Sequence, residues 1–374
     1  MFEKLSYLAL QEYWWFIIAL LGGLFVFMTF IQGGQTLLNK VAKTEDEKDI
    51  VIASLGRKWE LTFTSLVMFG GALFASFPLF YATSFGGAYY VWMAILFCFI
   101  IQAVSYEYRK KPNNFFGQKT FELFLFINGS LGVILIGAAV GTLFTGGHFV
   151  LNDMHLSSWT LPTRGLEAIL NPFNVVLGLT VFFLARVQAS LYFLNSIDHE
   201  KIVQNSRRAL RNDAILFLAF FVFFCILLLT ISGVAHQGNA FVVVKYKFLL
   251  NFLASPVLLG IFLLGVLLVI YALFISLFKK STKGIWFSGT GTVLVVLALF
   301  SLLGFNNTAI YPSLSDLQSS LDIRNASSSR YTLIAMSYVS LMVPFVLGYI
   351  IIVWRKMNQK QITLDEIQSD SNHY

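Results

Sequence analysis

The chain has 374 residues, 57% hydrophobic and 12% charged, with a mean hydropathy of +0.73. Soluble domains are about 25% charged, so this composition excludes a soluble or secreted globular enzyme and implies an integral membrane protein. The net charge of +7 does not require a nucleic acid, because basic loops in a membrane protein follow topology. The two cysteines, Cys98 and Cys225, lie in apolar runs and suggest neither a disulfide framework nor a metal site.

Apolar runs of about 20 residues match a ~30 Å hydrocarbon core crossed as helix. The pattern predicts nine such spans: Tyr13–Ile31, Leu61–Thr83, Ala88–Tyr106, Glu122–Phe144, Phe173–Asn195, Ala214–Val234, Pro256–Phe278, Trp286–Phe305 and Leu333–Trp354. The first is read as retained. Glu3 and Glu12 flank Lys4, so a basic n-region is missing, and no small-residue cleavage site follows. Asn171-Pro172 opens the fifth span, with proline at a favourable first-turn position. The expected architecture is all-α and polytopic, one integral membrane domain over residues 1–374.

Charge sets the orientation. The loops after the first, third, fifth and seventh spans, together with the C-terminal tail, hold 19 of the 26 Lys and Arg residues. By the positive-inside rule that side is cytoplasmic, which places the N-terminus outside. The inner loop Lys201–Asp213, with Arg207, Arg208 and Arg211, reads as a helical extension of the fifth span facing anionic lipid. Two long outer segments, Gly146–Asn171 and Asn306–Tyr331, are rich in turn formers.

The second and third spans form a hairpin around Phe85-Gly86-Gly87. The hairpin brings Glu60, beside Trp59, and Glu107, four residues before Lys111, to one cytoplasmic mouth. Two carboxylates at adjacent helix mouths suit proton or cation uptake, although each also suits a solvated helix end. Arg186 lies inside the fifth span with Gln188 two residues on. An unpaired arginine at that depth costs at least ~2.5 kcal/mol, so it is expected to face a cofactor propionate, an acid of another subunit, or carbonyls of its own chain. Gln32, Gln35 and Gln102 sit at inner span ends and suit interhelical hydrogen bonding. Gly132, Gly137 and Gly141, with Ala138 and Ala139, suit close helix packing. The five histidines, His148, His155, His199, His236 and His373, fall in loops or the tail, so haem ligation by this chain is not expected. His148 and His155, seven apart in a loop, read as solvated. No nucleophile elbow, phosphate-binding glycine loop or HExxH helix is present.

Several landmarks together resemble subunit II of the cytochrome bd-type quinol oxidases over nearly the whole length. They are Trp59-Glu60, Gly70 to Ala75, Pro78, Tyr81-Ala82, Phe85 and Glu107 to Lys111, then Asn171-Pro172-Phe173 and Gln188-Ala189 with Leu191-Tyr192. Toward the end come Tyr311-Pro312-Ser313, Ala326 to Ser328, Thr332-Leu333, Pro344, Trp354 to Met357 and Ile362-Thr363. The resemblance implies nine helices, as two four-helix bundles plus a peripheral helix, in a bacterial inner-membrane heterodimer. It implies a partner subunit I that holds haems b and d and oxidises quinol, and leaves room for a small single-span accessory subunit and a bound lipid or quinone. This subunit would shield the oxygen-reducing haem and give protons and oxygen access. Three departures stand out. The family's Asp-Gly-x-Asp is Gln32-Gly33-Gly34-Gln35 here, its Arg-Pro before the acid-Tyr-Arg motif is Gln102-Ala103, and Glu60 and Glu107 replace the usual Asp. Amides relay through water but carry no charge, which leaves Glu60, Glu107 and Lys111 as the expected proton entrance. A nearby cation favours ionised carboxylates there.

The expected function is thus subunit II of a terminal quinol oxidase, with Arg186, Gln188, Gln32, Gln35 and Trp59 as candidate contacts to a partner or cofactor. A secondary transporter or a purely structural membrane subunit is the alternative. Expressed without a partner, the chain is expected to give no pyridine haemochrome spectrum; haem in stoichiometric amount would contradict the histidine reading.

Overall fold

The computed structural model describes residues 2–357 and 361–363; Lys360 of the basic tail and His373 lie outside them. Helix α1 (Tyr7–Met28) starts where the Ser6 hydroxyl caps the Ala9 N–H at 3.1 Å. It continues through Thr29, still helical in backbone, into α2 (Phe30–Val41). The first span is therefore a 35-residue helix, Tyr7–Val41, longer than expected. Its C-terminal end is polar and, being packed against protein, carries no hydropathy signal. A capping box between Thr44 and Glu47 opens α3 (Glu45–Gly56), where only a loop was expected. Residues from Ile50 to Gly56 are all buried in it, and burial all round erases the amphipathic pattern by which such a helix is found.

The expected hairpin is α4 (Trp59–Ser76), a short α5 (Pro78–Tyr81), a π-helical turn Ala82–Gly87 and α6 (Tyr89–Tyr108). Trp59 stacks on Tyr106 at 5.8 Å and Phe63 meets Phe99 at 5.9 Å, so the two long helices run antiparallel. Next come α7 (Gln118–Ile127), a π-helical turn Asn128–Gly132 and α8 (Val133–Thr145), then α9 (Pro172–Ser196), with Asn171 accepting from the Phe173 N–H at 3.0 Å. The chain goes on through α10 (Glu200–Thr230), α11 (Lys247–Ala254), α12 (Pro256–Leu277), α13 (Gly284–Ser301), α14 (Arg330–Ser340) and α15 (Val343–Met357).

Eight helical segments among the described residues are long and apolar enough to cross a membrane, against nine expected. The segment outside that set is Leu61–Thr83. Proline cannot continue a helix as a donor, so Pro78 starts a new one and leaves α4 with 18 residues, Glu60 among them. The inner segment expected to extend the fifth span, Lys201–Asp213, is instead the first half of α10, the helix of the sixth span, whose 31 residues extend about 46 Å at 1.5 Å per residue. A span's hydropathy marks only the apolar part of such a helix.

The two long segments expected outside interlock. Strands β1 (Phe149–Leu151) and β2 (Ser157–Trp159) form one antiparallel hairpin, and β3 (Gly233–Gln237) and β4 (Ala240–Val244) another. Bridges Gly147–Ser313 and Ala235–Thr308 join each hairpin to the stretch after α13. That stretch is pinned by Tyr311, which stacks on Phe149 at 5.2 Å.

Helix α9 packs against α2, α8, α10 and α13, and α1 lies along α13 and α4. The small-residue face of α8 is the contact to α9. A Cβ on Gly137 would lie 2.6 Å from the Gly178 Cα, and one on Gly178 2.6 Å from the Ile134 carbonyl oxygen. Both obstacles are backbone, which cannot rotate aside. Gly137→Ala should therefore cost about 1–3 kcal/mol as overpacking and lower the thermal midpoint of the solubilised protein. Gly71→Ala, with nothing within 4 Å of its Cβ, is the control expected to leave the midpoint unchanged.

Candidate functional site

Glu60 and Glu107 follow directly on the stacked Trp59 and Tyr106, so they share one end of the antiparallel hairpin. Both are exposed. Glu107 pairs with Lys111 at 3.1 Å across one helical turn, with both side chains about half exposed (51% and 55%). The Tyr106 ring is buried between this mouth and the interior, and its hydroxyl accepts from Gln35 Nε2 at 3.2 Å. Asn128 Nδ2 donates to Gln35 Oε1 at 2.9 Å and to Gln102 Oε1 at 2.8 Å, and Gln32 Nε2 donates to the same Gln102 oxygen at 3.2 Å. Three helical segments thus contribute to one column of buried amides that starts at Tyr106. Within it Gln32 Oε1, Gln102 Nε2 and Asn128 Oδ1 find no partner among the described residues. Buried polar atoms are nearly always satisfied, by protein or by ordered water, so these three are places where bridging water gains hydrogen bonds. The sequence pointed to the glutamines but not to Asn128 or Tyr106. Asn128-Gly129 inside an apolar run was the available signal.

Beside the mouth is a charged cluster that loop reading did not anticipate. Arg109, 1% exposed, bonds Asp49 at 2.8 Å, Glu122 at 2.8 Å and Glu45 at 3.1 Å. Lys48 bridges Glu122 and Glu45 at 3.0 Å each, and Lys110 also pairs with Asp49. The cluster fastens α3 to α6 and α7. The bond from Lys48 holds the Glu45 carboxyl below its ordinary range. Burial opposes the charge on Lys48, but its bonds to Glu122 and Glu45 outweigh that and raise its pKa. Lys58, counted in the sequence as a loop cation, is buried as well. It donates to the Tyr192 hydroxyl at 2.9 Å and lies 5.2 Å from the Trp354 ring centre.

Arg186 has an acidic partner in its own chain. Its Nη2 is 3.0 Å from Asp213 Oδ2, with both side chains 5% exposed, and its Nη1 donates to the Thr36 hydroxyl at 2.8 Å. The expectation of a cofactor propionate, an acid of another subunit or carbonyls of its own chain is thereby corrected to an acid of the same chain. Asp213 had been assigned to a loop end, whereas the continuation of α10 brings it level with Arg186. Gln188 is buried against α13, donating to Thr292 Oγ1 at 2.7 Å. Gln32, Gln35, Arg186 and Gln188 thus all turn toward this chain's own helices, while Trp59 is half-buried at the mouth.

His148, His155, His199 and His236 lie outside the apolar spans. His199 caps α10, and His236 in β3 is 3.1 Å from Asp322. Among the described residues no three of His, Cys, Asp and Glu converge in a way that could hold a metal.

A family model described as cytochrome bd terminal oxidase subunit II matches residues 10–357. The chain is 25% identical over 383 residues to the cytochrome bd-I ubiquinol oxidase subunit 2 of Escherichia coli strain K12, covering 98% of this chain and 99% of that protein. It is 24% identical over 350 residues to the cytochrome bd ubiquinol oxidase subunit 2 of Bacillus subtilis strain 168, covering 91% and 93%. Its fold is similar to a chain in the structure of bd oxidase from Geobacillus thermodenitrificans, with a TM-score of 0.65 at 12% identity, covering 94% of this chain and all of that one.

The Arg186–Asp213 pair has a direct test. Removing one partner leaves a buried charge uncompensated, at about 3–5 kcal/mol, whereas replacing both by apolar residues is often near neutral. Arg186→Leu should sharply lower the yield of folded protein, and the added Asp213→Leu should restore most of it. A double variant no better than the single one would show that the pair is not the relevant contact.

Proposed function

The chain belongs to the cytochrome bd terminal oxidase subunit II family, and from that premise we propose how it serves the oxidase: as the subunit that conducts protons from the Glu60–Glu107 mouth inward and supports a haem-bearing partner. The chain is part of a terminal quinol oxidase, which sets aside the transporter alternative. The positions of its four described histidines, all outside the apolar spans, do not fit axial ligation of a haem inside this chain. Haems b and d are therefore assigned to partner subunit I, together with quinol oxidation, and this chain is assigned no catalytic residue.

One observation carries the conductive reading: the buried amide column ends at Tyr106, one residue from Glu107 and stacked on the neighbour of Glu60. Oxygen reduction consumes protons, and they must cross an otherwise apolar wall. A carboxylate at the mouth takes up a proton from water and releases it. Lys111, paired with Glu107 at 3.1 Å, keeps the mouth polar and hydrated. Beyond Tyr106 and Gln35 the amides of Asn128, Gln102 and Gln32 orient water through their unpartnered atoms without fixing a charge. The topology that fits is the one the basic loops indicate, with this mouth on the cytoplasmic side and the N-terminus outside.

Glu60→Gln should therefore lower quinol-driven oxygen uptake, normalised to haem content, by more than it lowers assembly. Glu107→Gln should be milder, because that carboxylate is half exposed and already paired. Full turnover in the Glu60→Gln, Glu107→Gln double variant would overturn the proton reading and leave the two acids as solvated helix ends.

A further inference from the structure

At the end of the molecule opposite the Glu60–Glu107 mouth is a cavity of about 350 Å³, between the ends of α6, α8 and α9 and roofed by the β1–β2 hairpin and the loop carrying Tyr311. Trp92, Thr142, Trp159, Glu167, Asn174 and Tyr311 are among its lining residues. No part of the proton reading uses it.

Its chemistry is set by Glu167. One carboxylate oxygen, Oε2, is fixed by the Thr163 hydroxyl at 2.6 Å and the Gly165 N–H at 2.9 Å. The other, Oε1, is buried and has no partner among the described residues. The nearby cation is turned away: the Arg164 guanidinium lies 5.3 Å from the Tyr89 ring centre. No Lys or Arg among the described residues lines the cavity. The remaining polar wall is His148 together with amides and hydroxyls. Asn174 is occupied by Thr145 at 2.9 Å and by the Ala168 carbonyl at 3.1 Å. Tyr311 is held between Phe149 and Phe80, and burial raises its hydroxyl pKa, which keeps it neutral. The rest of the wall is aromatic and aliphatic, with Trp159 fixed by its bond to the Thr83 carbonyl at 2.9 Å.

A half-satisfied carboxylate in a low-dielectric recess attracts a cation. The size and the wall decide which kind. The volume equals that of about a dozen waters at ~30 Å³ each, far more than one bare metal ion needs. Hard cations also take 6–8 oxygen ligands, and no converging set of acidic side chains is present among the described residues. Tryptophan and tyrosine rings, by contrast, attract organic cations. We propose that this cavity binds a small organic ammonium ion, with its nitrogen against Glu167 Oε1 and its carbon body against Trp92 and Trp159. The ammonium can belong to a free amine or to the headgroup of an outer-leaflet phospholipid.

The test is calorimetric titration of ethanolamine into the intact oxidase complex held in phosphatidylglycerol nanodiscs, repeated in discs that contain phosphatidylethanolamine. Saturable binding at one site per chain is expected in the first discs, at least tenfold weaker in Glu167→Gln. That variant keeps an acceptor for Thr163 and Gly165 while losing the charge. His148→Lys, which adds a cation to the lining and leaves Glu167 in place, should weaken binding too and guards against a folding defect in the first variant. Loss of the ethanolamine signal in the second discs identifies the headgroup as the resident, and an unchanged signal identifies the free amine. Absence of saturable binding in phosphatidylglycerol discs, binding that both variants leave intact, or displacement by sodium ions at equal concentration would overturn the proposal.

Discussion

Close contact between helix backbones is the constraint on which the interior depends. A Cβ on Gly33 would sit 2.2 Å from the Ala185 carbonyl, and one on Gly129 would sit 2.2 Å from the Gln32 carbonyl oxygen. These approaches hold α2 against α9 on one side and against the π-helical turn on the other. Polar side chains next to the contacts then reach across: Thr36 to Arg186, and Asn128 to Gln35 and Gln102. In lipid, helices gain little from hydrophobic association with one another, so packing and interhelical hydrogen bonds must hold them. Small residues and amides therefore act together here, the first setting the distance and the second using it.

That coupling explains which parts of the chain its sequence discloses. Long apolar runs report a span directly, and those from Phe173, Pro256 and Trp286 agree with α9, α12 and α13 to within about four residues, the ordinary uncertainty of element ends. Hydropathy is silent where a helix carries its polar side into protein, as in α2 and α3, and where a helix carries a charged face outside the apolar span, as in the first half of α10. The glutamines of the amide column were legible as polar residues at span ends. Asn128 gave the same kind of signal in the middle of a run. The identity of Arg186's partner was not legible, because pairing is a matter of level between two helices and Asp213 sits just before the apolar part of its own. The β3–β4 hairpin did leave a mark: Gly238-Asn239 between two apolar stretches is a hairpin turn signal, with Gly238 at a φ of +62°.

For the oxidase, amides in place of acids change what the interior can store. A buried carboxylate would have to choose between an expensive charge and a trapped proton, and its occupancy would follow the pH of the nearer compartment. The Gln32–Gln102–Asn128–Gln35 column makes no such choice. Its charge is constant. The clamp around Arg109 lies beside that mouth and ties α3, α6 and α7 together, so the position of Tyr106 is fixed by groups that do not belong to the column.

Trp354 is worth following beyond its role in packing. It lies on α15, most of which faces outward, yet it is buried against Phe27 at 6.2 Å, Phe30 at 5.9 Å and Trp286 at 6.1 Å, with the Lys58 ammonium beside its ring. Two indoles at that separation exchange excitation energy, and an ammonium beside one of them shifts its emission. The last helix therefore carries its own optical reporter. Its docking onto the body of the subunit is readable in the ultraviolet, without a label.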